Sequence, residues 1–244
     1  MSRPGHHDAT IALPPLGLLW REAAALADKR RLVADFTMFR TRECAGQTPV
    51  MVIPGFLASD GSTAVLRSGL AAAGYDSFGW GLGINLGATP SRLDKLVELL
   101  RGHVDAAGRP VSLVGWSLGG LYAREVAKLV PELVERVVTL GSPFSGNPRA
   151  NRVWRLYELI NRHPVELPPI ASDLASKPPV PTVAIWSAND GIVAPVCSRG
   201  KSHEVDHRME VRCSHIGFTY ERDSIDAVLD ALEYRVPVSL AQTA

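Results

Sequence analysis

Gly115-Trp116-Ser117-Leu118-Gly119 sets a hydroxyl between two glycines, within the stretch LVGWSLGGLYA from Leu113 to Ala123. The apolar run PVSLVGW before it reads as a buried strand, and LGGLYAREVAKLV after it reads as a helix. A serine at such a turn projects its hydroxyl from the end of a sheet. The glycines remove side chains that would collide with the neighbouring strand and helix. The serine also stands at a helix N-terminus, where backbone N–H groups stabilise developing negative charge. The chemistry this permits is nucleophilic attack on a carbonyl carbon. The competing reading is a glycine-rich turn whose serine only caps the helix. The strand before and the helix after favour the nucleophile.

A serine hydroxyl is too weakly acidic to attack an ester unaided. It needs a base, and the base needs an orienting carboxylate. In strand–serine–helix arrangements of this kind the acid and then the histidine follow the serine in the chain. Four histidines lie after Ser117: His163, His203, His207 and His215. His163 falls in a long insert, and His203 and His207 fall in the polar stretch RGKSHEVDH. His215 follows the strand-like RMEVRC, at the C-terminal end where catalytic groups of α/β sheets collect. It is the expected base. Asp190 ends the strand-like TVAIW in the turn SANDGIVAP, and a turn is also a good mount for an acid. It is preferred to Asp173 and Asp206, which follow no expected strand. An oxyanion needs preorganised donors. The expected ones are the backbone N–H groups of Leu118, after the serine, and of Phe56, in the loop PGFLASD after the first core strand.

Strands alternating with helices must position these residues. PVMVIPGF, YDSFGWGL, PVSLVGW, VERVVTLGSP, PTVAIWSAND and RMEVRCSH read as strands. STAVLRSGLAAAG reads as a helix with Ser62 as N-cap and Gly74 as its stop. In TPSRLDKLVELLRGHVDAAG, Thr89 can cap and Pro90 suits the first helical position. A final helix is expected from about Asp223 to Tyr234. The alternation predicts an α/β fold with a mostly parallel central sheet and helices on both faces. About 35 residues separate LGSPF from PTVAIW, which is long for a connection. Their middle, NRVWRLYELINR, puts Val153, Trp154, Tyr157 and Ile160 on one helical face.

At the N-terminus, residues from Pro15 to about Val33 read as an amphipathic helix. Its apolar stripe is Leu16, Leu19, Trp20, Ala23, Ala24 and Ala27. Two placements fit it: packed on the domain, or lying weakly on a membrane surface with Arg21, Lys29, Arg30 and Arg31 toward headgroups. Pro14, Pro15, Arg21 and Glu22 break the apolar stretch that a signal peptide would need. The expected location is therefore cytoplasmic. The 244 residues carry a net charge of +1 and no basic run longer than KRR, so a nucleic-acid partner is not indicated. None of the three cysteines, Cys44, Cys197 and Cys213, sits in a C-x-x-C, so a zinc site is not indicated. His6 and His7 read as terminal residues rather than ligands.

Together IPGF, GWSLGG, LGSPFSG, NDGIVAP and SHIGF resemble the α/β-hydrolase superfamily on its lipase and esterase side, over about Pro49 to Tyr234. The resemblance implies a Ser117–His215–Asp190 triad and hydrolysis of carboxylic esters through an acyl-enzyme, with no cofactor and no metal. The division it implies is an N-terminal helix in 1–40 and a hydrolase domain in 41–244, with a helical cap over about 144–180. Trp116, Phe144, Trp154 and Tyr157 are the expected substrate-binding side chains, facing a lipophilic ester. Where many lipases carry His-Gly before the oxyanion residue, this chain has Pro54-Gly55. Where they carry His beside the nucleophile, it has Trp116. Both departures bear on specificity. In bacterial members cysteines often lie near acid and base, so Cys197 and Cys213 are either a disulfide or two buried thiols. The same triad would also serve acyl transfer or thioester hydrolysis. A non-catalytic binding protein on this scaffold is the alternative from another class. The oligomeric state is not encoded in any of these features.

Overall fold

The computed structural model describes residues 13–29, 48–165 and 173–236. Its centre is a six-stranded sheet in the order β2-β1-β3-β4-β5-β6. The strands are β1 (Pro49–Ile53), β2 (Asp76–Gly79), β3 (Val111–Trp116), β4 (Val134–Leu140), β5 (Thr182–Trp186) and β6 (His207–Glu210). Every pairing is parallel. The near-continuous apolar runs of β1 and β3 follow from burial on both faces. Val50, Val52, Val114 and Trp116 point to one face, where α2 (Ala64–Ala72) and α7 (Arg222–Glu233) pack. Met51, Ile53, Leu113 and Val111 point to the other, against α3 (Pro90–Ala107) and α4 (Leu118–Leu129). The period-2 alternation of the strands thus divides one apolar run between two cores.

The helices begin where their sequences provide for it. Thr89 accepts the Arg92 amide at 3.2 Å and Pro90 takes the first position of α3, while Gly108 closes it at φ 66°. α2 starts later than expected. Ser62 lies inside a 3-10 turn, Asp60–Thr63, where its hydroxyl accepts the Ser59 amide, and the α-helix opens only at Ala64.

The chain runs from β1 out to β2 and then back across to β3, so strand order reverses between β1 and β3. The crevice at the C-terminal ends of those strands is where open α/β sheets bind ligands. Ser117 follows β3 there, and Pro54-Gly55 follows β1. The insert contributes α5 (Trp154–Asn161), and the short helix α6 (Pro195–Arg199) precedes β6. No helix among the described residues is long and apolar enough to cross a membrane.

The N-terminal helix departs from its sequence pattern. α1 (Leu19–Lys29) follows a 3-10 turn at Leu16–Leu18. It does dock on the domain, but not through the expected stripe. Leu16, Trp20, Ala23, Ala24 and Ala27 face solvent, Trp20 at 81% exposure, and Leu19 is half-buried. The buried positions are Glu22 and Ala25. A carboxylate rather than the apolar stripe anchors the helix, because it meets unpaired backbone amides of two distant loops. Arg30, Arg31 and Cys44 lie outside the described residues.

Candidate active site

Ser117 sits between β3 and α4 with φ 55° and ψ −121°, a conformation costly for a residue with a side chain. Its amide donates to the Leu140 carbonyl of β4 at 2.8 Å, which ties the turn to the neighbouring strand. The flanking glycines are sterically required. A Cβ on Gly115 would lie 2.4 Å from Gly120, and one on Gly119 would lie 2.2 Å from the Ile53 carbonyl oxygen. β1 therefore passes directly against the start of α4. Its loop does the same to the serine: a Cβ on Gly55 would lie 3.1 Å from that of Ser117.

That approach brings the Phe56 and Leu118 amides to the same end of the sheet as the serine. Neither donates to a backbone acceptor in the turns and loops of the described residues. The loop itself is held by Asn85, which sequence reasoning missed. Its fully buried side chain donates to the Pro54 carbonyl at 2.8 Å and accepts the Gly87 amide, and its backbone pairs with Leu57 and Ala58. Asn85 stands in GLGINLGATP, where a short polar residue among glycines reads as one more turn residue.

Asp190 and His215 come from the ends of β5 and β6. The ring Nδ1–H of His215 donates to Asp190 Oδ2 at 2.7 Å. This leaves Nε2 of the neutral ring free to accept a proton. The other carboxylate oxygen, Oδ1, accepts the amides of Ile192 and Val193, both at 2.8 Å. Asp190 is fully buried and His215 nearly so. Burial alone favours the neutral ring. Asp190, its hydrogen bond and the Glu22 carboxylate outweigh it, and the His215 pKa lies above the usual histidine value. Trp116, next to the serine, donates from its indole to the His215 carbonyl at 2.9 Å. The Ser117 hydroxyl itself has no hydrogen bond to the ring among the described residues.

The rival residues are occupied elsewhere. Asp206 pairs with Lys177 at 2.6 Å and accepts the Thr182 amide. Asp173 is exposed and caps its own turn. His203 is exposed beside Glu204, and His207 opens β6 and stacks on Tyr234. His163 packs edge-on to Tyr157.

Ser117 opens on a largely apolar cavity. It is lined by Leu118, Leu121 and Tyr122 of α4 and by Phe56, Trp154 and Tyr157. Ile160 of the expected apolar face does not reach it and is 38% exposed. Two residues expected at the substrate also lie elsewhere. Trp116 is packed in the core and committed to His215. Phe144 is buried against Ala184 and Val205, beneath the Arg124 guanidinium at 4.2 Å. Their sequence neighbours Ser117 and Pro143 line the cavity, but Trp116, the last residue of β3, and Phe144, in the loop after β4, both turn into the core. Cys197 and Cys213 are separate buried thiols, and burial raises both thiol pKa values, which keeps them protonated and unreactive. Among the described residues no group of three or more His, Cys, Asp or Glu side chains is placed to hold a metal ion.

The sheet order, the strained strand–serine–helix turn and the Asp190 and His215 loops after β5 and β6 define the α/β-hydrolase fold. Solved structures share it. Lipase B of Aspergillus fumigatus superposes with a TM-score of 0.59 at 17% identity over 81% of this chain. The mature lipase BlEst2 of Bacillus licheniformis gives 0.56 at 16% identity over 79% of this chain and 95% of its own. An α/β-hydrolase enzyme from a Mar Chica lagoon-sediment metagenome gives 0.52 at 20% identity over 79% of this chain and 91% of its own. The chain spans about half, 55%, of the length of the Aspergillus lipase. No protein-family model matches the sequence, and neither does any curated protein.

Proposed function

We propose that the protein is a serine hydrolase of lipophilic carboxylic esters, working through an acyl-enzyme with Ser117 as nucleophile, His215 as base and Asp190 as its orienting acid. The observation that carries this reading is the buried His215–Asp190 pair at 2.7 Å, beside a serine strained to φ 55° at the mouth of an apolar cavity. His215 Nε2 takes the serine proton as Oγ attacks the ester carbonyl carbon. The Phe56 and Leu118 amides stabilise the resulting oxyanion. The intermediate collapses, the ring passes its proton to the departing alkoxide, and the alcohol leaves. Water, deprotonated by the same ring, then attacks the acyl-enzyme, and the ring returns that proton to Ser117 Oγ as the acid leaves. The lipases and the esterase among the structural neighbours support this assignment.

A fluorophosphonate probe tests it directly, because it labels only an activated serine. Wild type is expected to label at Ser117 and to hydrolyse p-nitrophenyl butyrate. Ser117→Ala is expected to fold, to escape labelling and to lose at least about three decades of kcat. A folded wild type that neither labels nor turns over esters is a binding protein on this scaffold, and the proposal fails.

A further inference from the structure

Two loops must hold register for His215 to meet Asp190, and no covalent link joins them, since Cys197 and Cys213 are separate thiols. A side chain from 169 residues upstream of the acid loop spans both. Glu22 of α1 is 95% buried, and its Oε1 accepts the Gly191 amide at 2.9 Å and the His215 amide at 2.7 Å. Its Oε2 accepts the Ile216 amide at 3.0 Å. The residue after the acid, the base and the residue after the base thus share one carboxylate.

The helix is seated to deliver it. A Cβ at Gly191 would lie 2.9 Å from the Leu18 carbonyl oxygen, so only glycine there lets α1 approach so closely. Tyr220 donates its hydroxyl to the Ala25 carbonyl at 3.1 Å, and Arg21 reaches Asn189 at 3.3 Å. Arg152 donates to the Pro14 carbonyl at the other end of the segment. Trp20 and Leu16 stay exposed, so these large apolar side chains contribute little to this seat.

We propose that Glu22 is a positioning residue of the site: it clamps the acid and base loops through their backbone amides and sets a negative charge behind the His215 ring. This rests on the hydrolase reading above, in which the ring becomes imidazolium in the transition state. The clamp fixes the distance between Asp190 and His215, and the charge favours the protonated ring. The groups around that ring are few. Asp190 faces it from the loop after β5, and Glu22 from α1. Trp116 and Phe218 cover it with aromatic rings. Glu22 also acts on Cys213 and Glu221, as does Asp223, and burial raises the carboxyl of Glu221 and the thiol of Cys213. Arg21 is the cation acting on Glu221.

Glu22→Gln keeps the shape but removes the charge and presents an N–H to an amide that needs an acceptor. Glu22→Asp keeps the charge but withdraws the oxygens by one methylene. For Glu22→Gln, kcat on p-nitrophenyl butyrate is expected to fall between about tenfold and a hundredfold, as misplacement of a catalytic group does, with KM near wild type. Loss of a negative charge makes the imidazolium less stable, so the acidic limb of the kcat–pH profile moves to lower pH. For Glu22→Asp, kcat falls while the limb stays. The carbon-bound proton resonance of the His215 ring, titrated without substrate, reads the same shift independently of turnover. A lowered ring pKa in Glu22→Gln with an inactive wild type would leave the clamp standing and overturn the hydrolase reading. Folded Glu22→Gln with unchanged kcat and an unchanged ring titration overturns the clamp. So does a loss confined to KM, and so does failure of both variants to fold, which would make Glu22 a folding residue only.

Discussion

Burial alone would strip the proton from His215, because a charged ring loses its water. The Asp190 carboxylate at 2.7 Å and the charge of Glu22 reverse that balance and raise the ring pKa. In the proposed mechanism the neutral ring is the base, so kcat/KM is expected to rise through an apparent pKa above the ordinary histidine value of about 6.5. A pH profile of p-nitrophenyl ester hydrolysis measures it. The same raised pKa makes a stabilising contribution that is present below the unfolded value and is lost as pH climbs through the folded one. Activity and this part of stability therefore move in opposite directions across neutral pH. Asp190→Asn tests the orienting role. The two amides of Ile192 and Val193 hold the remaining oxygen where Oδ1 was, which turns the new NH2 toward His215 Nδ1. The ring must then accept at Nδ1 and carry its proton on Nε2, the wrong tautomer for a base. The expected outcome is a kcat lower by about three to four decades with little change in thermal stability.

Among the elements, α5 is where specificity is open to experiment. Trp154 and Tyr157 line the cavity together with Leu121 and Tyr122 of α4. Each methylene buried between them is worth up to about 0.8 kcal/mol. In k-values for p-nitrophenyl esters, activity is expected to rise from acetyl to butyryl or longer before size limits it. Trp154→Ala is expected to flatten that rise and spare acetate, since the proposed triad and oxyanion amides lie elsewhere. An equal loss of kcat/KM at every chain length would place the substrate outside this cavity. The elements that build the crevice were legible because their signals are local. β1 and β3 are apolar runs buried on both faces, and α3 carries its Thr89 cap and Pro90 start in sequence. The helical face of α5 was legible up to Ile160, which one further turn carries into solvent. α1 was legible as a helix but not in its orientation. Its stripe argued for packing, whereas the partners of Glu22 are backbone amides 169, 193 and 194 residues away. An amide has no signature in sequence, so neither Glu22 nor Asn85 could be found by pattern. Trp116 and Phe144 were misplaced for a related reason: proximity to a motif does not say which way a side chain turns.

Across the whole molecule, the site depends on long-range pins in the same way that the sheet depends on its cores. Arg124 of α4 is the largest of these outside the site. Its fully buried guanidinium donates to the carbonyls of Leu174, Ala175, Ser176 and Glu204, between 3.1 and 3.2 Å, and covers the Phe144 ring. It joins the helix behind Ser117 to the segment that re-enters the sheet at β5 and to the turn before β6. Burial pulls its pKa down to about 10, against the raising influence of Glu125, Glu204 and Asp173, so it stays charged at neutral pH. Arg124→Met fills much of the volume but leaves four carbonyls without their donor. The expected cost is about 3 kcal/mol, which lowers Tm by about 6–12 °C for a chain of this length. Arg124 touches neither His215 nor Asp190, so kcat of the folded protein at low temperature is expected to stay near wild type. Thermal unfolding and ester kinetics on the same preparation check both halves. A variant that keeps its Tm would show the carbonyls rehydrated at little cost. One that keeps its Tm and loses kcat would show that α4 transmits strain to Ser117, with Arg124 holding the nucleophile rather than the fold.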